Sequence, residues 1–414
     1  MPSNLIKEDQ RSFLTNSFYL YISYFADFFL AILFIPFIAR TLGASEFGKI
    51  GIAQTFGILI ILLMEFGSSL IATRKVARIK DDNNQLKLFI AKITTFKLFL
   101  LPIAILITVT AFFVVPIFSD NPNYIIIVAL GAVFQGMSPV WYFQGIEKMR
   151  KIAFSKVIFR LIGFILIILL VRSSSDGWIV LASFSFSSIL ICLYLYSVII
   201  RKIGLFQIED ISESIKLFLK SAPSFFITIV PILYQSISVF ILSVYVNPLQ
   251  LGFYYGASRI HRAFNTLYGP LSQAFFPIIS IANEKNKIKS RVLIKNYFLL
   301  IFLLGLLFFL LNFFFAEKII SIFLGDKFLP ASETLKFFSF VLPLTAISNT
   351  LGRQWLMVLN KDYYFAIIQL FSSLIAFFAF YYFLSIIGVR ALPFSLIIYE
   401  FITIILILIF FIKK

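Results

Sequence analysis

Residues 296–315 read NYFLLIFLLGLLFFLLNFFF, twenty consecutive positions without a charge. At 1.5 Å per residue such a run makes a helix ~30 Å long, the thickness of a bilayer's hydrocarbon core. Runs of this character recur from residue 13 to residue 412. The chain of 414 residues is 60% hydrophobic and 13% charged, and Phe alone accounts for 54 positions. Its mean hydropathy is +0.98. A soluble domain is ~45–50% apolar and ~25% charged, so this chain lacks the polar surface to cover a water-soluble body. Barrel strands would alternate apolar and polar over short spans, which these runs do not. The reading is an all-α polytopic membrane protein with twelve transmembrane helices, near 13–38, 47–66, 88–116, 123–143, 152–171, 177–200, 218–244, 252–281, 293–315, 334–358, 363–387 and 391–412. The polar, mixed-charge start MPSNLIKEDQRS precedes an apolar run too long for a signal-peptide core, so the first span is expected to be retained. Loops are short, and any function must sit in the membrane.

Lys and Arg alternate strongly from loop to loop. With the N-terminus inside, inner segments hold 23 of the 36 basic residues and outer segments hold 6. By the positive-inside rule, both termini are cytoplasmic. The same bias accounts for the net charge of +17. Basic loops of this kind set topology and meet anionic lipid; they are no sign of nucleic-acid binding. A single cysteine, Cys192, and a single histidine, His261, exclude a disulfide framework and any multi-His or thiolate metal site.

The chain divides near residue 208 into an N-terminal six-helix bundle, 1–208, and a C-terminal one, 209–414. Gly43-Ala-Ser-Glu-Phe-Gly48-Lys-Ile-Gly-Ile-Ala53 enters the second span. Asn247-Pro-Leu-Gln-Leu-Gly252-Phe-Tyr-Tyr-Gly-Ala257 enters the eighth. A shift of 204 places Gly48 on Gly252 and Ala53 on Ala257. Trp141 and Trp355 stand near the ends of the fourth and tenth spans. With six spans per half the repeat is parallel, about an axis along the membrane normal. Internal repeats are a common basis for alternating access in transporters.

Arg40-Thr-Leu-Gly43-Ala-Ser-Glu-Phe-Gly48 resembles the R-x-L-G-x-x-x-F/Y-G signature of Wzx-type O-antigen flippases, the polysaccharide branch of the multidrug/oligosaccharidyl-lipid/polysaccharide exporter superfamily. Gly67 with Arg74-Lys-Val-Ala-Arg78, Trp141-Tyr-Phe-Gln-Gly-Ile-Glu-Lys148, Leu251–Ala257 and Phe276-Pro277 add to the resemblance, which covers nearly the whole chain. It implies two six-helix bundles facing a central cavity. It also implies translocation of undecaprenyl-pyrophosphate-linked oligosaccharide from the cytoplasmic to the periplasmic leaflet of the bacterial inner membrane, for O-antigen or capsular polysaccharide. A polysaccharide polymerase and a chain-length regulator are the partners expected in such a pathway, with membrane lipid around the chain. No cofactor is expected, and coupling to H+ or Na+ is left open.

A polar head group cannot cross hydrocarbon unaided, because each unpaired polar group costs several kcal/mol there. Arginine suits a pyrophosphate, being always charged and able to bind bidentately. The eighth span presents Tyr255, Arg259, Arg262, Thr266 and Gln273 at i, i+3/i+4 spacing. Arg353, beside Asn349 and Gln354, and Lys97 are further candidates to receive the pyrophosphate near the inner side. Arg160 reads better as a snorkelling side chain, and His261 as a packed one. Ser12, Asn16, Tyr19, Ser23 and Asp27 form a polar stripe on the first span. Ser224, Thr228, Pro231, Gln235 and Ser238 form a matching one on the seventh, and the two would line the cavity from opposite halves. Asp27 is a candidate for a coupling ion or for neutralising an arginine, and so is Glu400. Tyr255 and Trp141 are candidates to stack on sugar rings.

No phosphate-binding loop, metal cluster or nucleophilic triad occurs in the sequence. An integral-membrane polysaccharide polymerase would share the composition, but it would carry a large outer loop with arginines, which is missing here. A drug/cation antiporter would need an acidic interior. Charge within the spans leans basic instead: Lys97, Arg160, Arg259, Arg262 and Arg353 stand against Asp27 and Glu400.

Overall fold

The computed structural model describes the backbone of residues 2–205, 207–219 and 222–412, and side chains within 34–67, 72–205, 207–216 and 229–411. Among the described residues all regular structure is helical. The elements are α1 (Pro2–Glu65), α2 (Ser68–Ile79), α3 (Asn83–Val114), α4 (Pro116–Asp120), α5 (Pro122–Met137), α6 (Val140–Gly145), α7 (Met149–Leu170) and α8 (Gly177–Ile203). There follow α9 (Ile211–Leu219), α10 (Ala222–Tyr245), α11 (Pro248–Thr266), α12 (Tyr268–Lys285), α13 (Lys287–Phe314) and α14 (Ala316–Leu324). The last are α15 (Ala331–Asn349), which continues as a π-helix over Thr350–Met357, then α16 (Asp362–Ile387) and α17 (Ala391–Ile412). Each expected span falls on one of these helices or on an adjacent pair. Among the described residues, eight segments are long and apolar enough by themselves to cross a membrane, and one of them, Asp362–Phe411, holds both α16 and α17. Side chains such as Ile105, Leu106, Phe113 and Val114 on α3 are exposed, as lipid-facing surface should be.

Sequence punctuation sets the breaks. Gly43 divides α1 into the first two spans with φ 78° and ψ 171°, a region essentially reserved for glycine. Asp82 caps α3, its carboxylate accepting from the Asn84 and Gln85 amides at 2.9 and 3.0 Å. Asn286 caps α13 in the same way. At α11, Asn247 accepts from the Gln250 amide at 2.9 Å, and Pro248 fills the first helical position, where no N–H is needed.

The chain forms two compact units, Met1–Phe34 with Ala53–Phe226, and Ile35–Ile52 with Ile227–Lys414. In the first, α8 packs on α5 and α7, α3 on α5, and α2 on α6. Ser185 and Ser187 of α8 donate to the carbonyls of Ile127 and Phe159 at 2.8 and 2.9 Å. Such small hydroxyl residues join helices where water is absent. In the second, α15 packs on α13, α11 and α17. Its core gathers Tyr268, Ile279, Tyr297, Ile301, Phe308 and Leu342.

The second unit also holds the clearest sign of the repeat. A Cβ on Gly48 would lie 2.2 Å from the Pro248 carbonyl oxygen and 2.7 Å from the Gly252 nitrogen. A Cβ on Gly252 would lie 1.8 Å from the Ala44 carbonyl oxygen. The shift of 204 relates Ala44 to Pro248 and Gly48 to Gly252, so each glycine meets the partner of the other's neighbour. Gly51 meets the ring of Tyr255, its own repeat mate. Reciprocal contacts between equivalent positions are what a local two-fold axis produces. The motif arginine serves this unit as well. Arg40 donates to the carbonyls of Ser321 and Ile322, at 3.4 and 2.7 Å, and so closes the C-terminal end of α14.

Candidate functional site

The α11–α12 pair carries the basic face. Pro270 has no N–H for the Thr266 carbonyl, so the helix breaks at Leu267. The buried side of α11 comprises Leu251, Gly252, Tyr254–Ser258, Ile260 and His261. Its other side exposes Arg262 and Thr266, with Arg259 half-buried one turn before Arg262; Gln273 on α12 is exposed too. Arg262 donates to the Ser258 hydroxyl at 3.2 Å, and the Thr266 hydroxyl donates to the Arg262 carbonyl at 2.8 Å. Arg259 and Arg262 feel each other's charge. Like charges one helical turn apart repel, and an anion lying across both relieves that repulsion.

Other expected site residues lie elsewhere. Tyr255 is 2% exposed, its ring against Gly51, so in this structure it is a packing residue and offers no platform to a sugar. Trp141 is buried with it in kind, edge-on to Phe89. His261 stacks on Phe338 at 4.7 Å, as a packed side chain does. Gln235 is exposed on α10. Arg353 is exposed on the π segment, while its neighbour Gln354 turns inward and donates to the Ser272 carbonyl at 2.9 Å. Short π segments frequently mark functional positions in helices. Lys97 belongs to the first unit. It is 1% exposed and donates to the Gly136 carbonyl at 2.5 Å, beneath the break between α5 and α6. Asp27 and the stripe residues Ser12, Asn16, Tyr19, Ser23, Ser224 and Thr228 lie outside the described side chains.

Two features were not anticipated in full. Glu65, at the end of a long apolar run, lies within electrostatic range of Lys97 and Lys156. Its place inside the second span was the available signal, and its partners were not readable from spacing. Glu400 on α17 accepts hydrogen bonds from two hydroxyls of α15, Thr345 at 2.8 Å and Ser348. Among the described residues it forms no ion pair. Nearby, the Tyr234 hydroxyl meets that of Ser395 at 2.5 Å, and Tyr234 stacks on Tyr399. An unpaired carboxylate ringed by hydroxyl oxygens has the donor chemistry to hold a proton or a hard monovalent cation.

The family model described as "Polysaccharide biosynthesis protein" matches residues 13–283. The chain belongs to this family. It is 26% identical over 364 residues to a "Putative O-antigen transporter" of Escherichia coli (strain K12), covering 87% of each protein. A Shigella dysenteriae protein of the same description is 26% identical over 357 residues, covering 83% of this chain and 85% of that one. Among solved structures, a lipid II flippase MurJ in an inward closed conformation superposes with a TM-score of 0.68 at 16% identity, over 97% of this chain and 88% of that one. An inward-facing multidrug resistance MATE family transporter gives 0.63 at 16% identity, over 93% and 96%. The fold is therefore that of these polytopic all-α transporters.

Proposed function

We propose that this protein flips undecaprenyl-pyrophosphate-linked oligosaccharide from the cytoplasmic to the periplasmic leaflet of a bacterial inner membrane, supplying repeat units for O-antigen or capsular polysaccharide. It acts as a transporter, with both termini in the cytoplasm. The observation that carries this reading is the face of α11, in the expected eighth span, where Arg259 and Arg262 stand one turn apart. Charges in that position are costly unless they face a polar path or a partner. A pyrophosphate matches the pair in sign and size, with Thr266 and Gln273 available to hydroxyl groups of the first sugars. The isoprenoid tail stays in lipid and needs no site. An interior of this sign disfavours cationic drugs, although MATE transporters share the fold.

Alternating exposure of the basic face to the two sides completes the cycle, with a proton or Na+ at Glu400 as the coupling ion. The released unit passes to a polymerase and chain-length regulator at the outer face. The test is the double variant R259Q/R262Q. Charge-assisted hydrogen bonds contribute ~1.5–3 kcal/mol each, so loss of both lowers head-group affinity by at least a hundredfold. Translocation should stop while membrane insertion and thermal stability persist. Normal translocation by this variant removes the arginines from the site.

A further inference from the structure

We propose that α2, together with the turn between α6 and α7, forms a fixed docking surface for anionic phospholipid of the inner leaflet. The proposal rests on the orientation given above, which places this surface on the cytoplasmic side.

The short helix α2 is amphipathic in an unusual sense. Its apolar side, Ala72, Val76 and Ile79, is buried against protein. A Cβ on Gly145 at the end of α6 would lie 2.6 Å from the Val76 Cβ, so the two helices touch backbone to side chain. The Thr73 hydroxyl lies 3.3 Å from the Gln144 side-chain oxygen and 3.4 Å from the Trp141 carbonyl. The helix is therefore mounted on protein, and among its described side chains, 72–79, the larger apolar ones, Val76 and Ile79, are both buried. What it presents outward is charge: Arg74, Lys75, Arg78 and Lys80 are all exposed.

The turn after α6 extends the same surface. The Lys148 amide bonds back to the Phe143 carbonyl at 2.9 Å, with Glu147 in the left-handed region at φ 57°. This tight turn starts three residues before Lys148, at the point where α6 meets α2, so Lys148 lies within ~11 Å of that contact along the chain. Lys148 and Arg150 are exposed. Among the described residues none of these six cations forms an ion pair; the described pairs are Lys49–Glu46, Lys92–Glu213, Lys336–Glu317 and Arg390–Glu333. Asp81, Asp82 and Glu147 are the acids of the region, and Asp82 is occupied as the cap of α3.

A surface on which six exposed cations outnumber three acids, at the level of lipid head groups, is complementary to an anionic leaflet, where each basic residue strengthens attraction about fivefold. Mounting the charges on a packed helix spares the ordering entropy that a loop would lose on binding.

The test uses the full chain in nanodiscs of phosphatidylcholine and phosphatidylglycerol, with retained lipid read by native mass spectrometry. R74Q/K75Q/R78Q leaves the packing face of α2 intact. It should lower the enrichment of phosphatidylglycerol at least tenfold. K148Q/R150Q, on the other half of the surface, should lower it in part. K285Q/K287Q/K289Q removes the same charge from the exposed α12–α13 turn and should leave the enrichment unchanged. Full enrichment in the α2 variant overturns the proposal, and equal loss in the α2 and α12–α13 variants overturns it too, by showing a response to net charge alone. Displacement of phosphatidylglycerol from the parent protein by an isoprenoid pyrophosphate would reassign the surface to the transported substrate. Because binding is read directly, these outcomes are independent of whether R259Q/R262Q transports.

Discussion

Gly252 lies against the backbone of the turn that follows Gly43, with no room for a single methyl group 1.8 Å from the Ala44 oxygen. Gly252→Ala must push two helices apart, so it should cost at least the ~1–3 kcal/mol typical of overpacking. Thermal unfolding in detergent should show a clear drop, and an unchanged midpoint would deny the contact. At Glu400 the effect is chemical rather than steric. Glu400→Gln retains an acceptor for Thr345 while removing the charge, so the fold should persist and any dependence of transport on an ion gradient should vanish. Gradient dependence equal to the parent's would exclude Glu400 from coupling. Charges such as Arg259, Arg262 and Glu400 were legible in the sequence because each interrupts an apolar run. The enclosure of Lys97 by Gly136 was not, since a lysine in a span reads the same whether it faces a polar path or a helix break.

Helix boundaries show which local rules carry through to the structure. Asp82 is held below the usual carboxylate range by the Gln85 amide first, then the Gln85 side chain and the Asn84 amide. A depressed folded pKa means that its contribution is present above the ordinary value of ~3.9 and is lost as pH falls through the lower folded value. Hydrogen exchange at Asn84–Leu86 should therefore quicken as pH falls through that folded value, which lies below ~3.9. In Asp82→Asn it should lose this pH dependence; a variant with the parent's profile would contradict the capping role. Caps at Asp82, Asn247 and Asn286, and the break at Gly43, follow from residue types whose local chemistry prevails over context. The π turn at Thr350–Met357 does not. Thr350 and Gly352 are compatible with an ordinary helix, and the segment's contacts with Ser272 and Phe365 are ones that only the folded unit supplies. The place of Tyr255 is set in the same way: its spacing fits the basic face, but Gly51 opens a place for its ring on the buried side.

At the scale of the whole chain, composition alone defined an all-α membrane protein, and the shift of 204 between Gly48 and Gly252 became a physical contact between repeat mates. The arrangement of twelve spans, the match over residues 13–283 and the shared fold with lipid and drug transporters agree with one another. The substrate is the part that the fold leaves open, because MATE transporters share the architecture; the proposed pyrophosphate site on the α11 face is what would distinguish the two, and R259Q/R262Q tests it. The central claim is therefore one of sidedness. Lipid-linked repeat units should be located by an impermeant glycan-modifying reagent on intact spheroplasts from cells lacking this protein. The account predicts that the units remain on the cytoplasmic leaflet, unmodified, until the parent protein is restored, and that R259Q/R262Q fails to restore them. Units that reach the outer leaflet in the absence of the protein would contradict it.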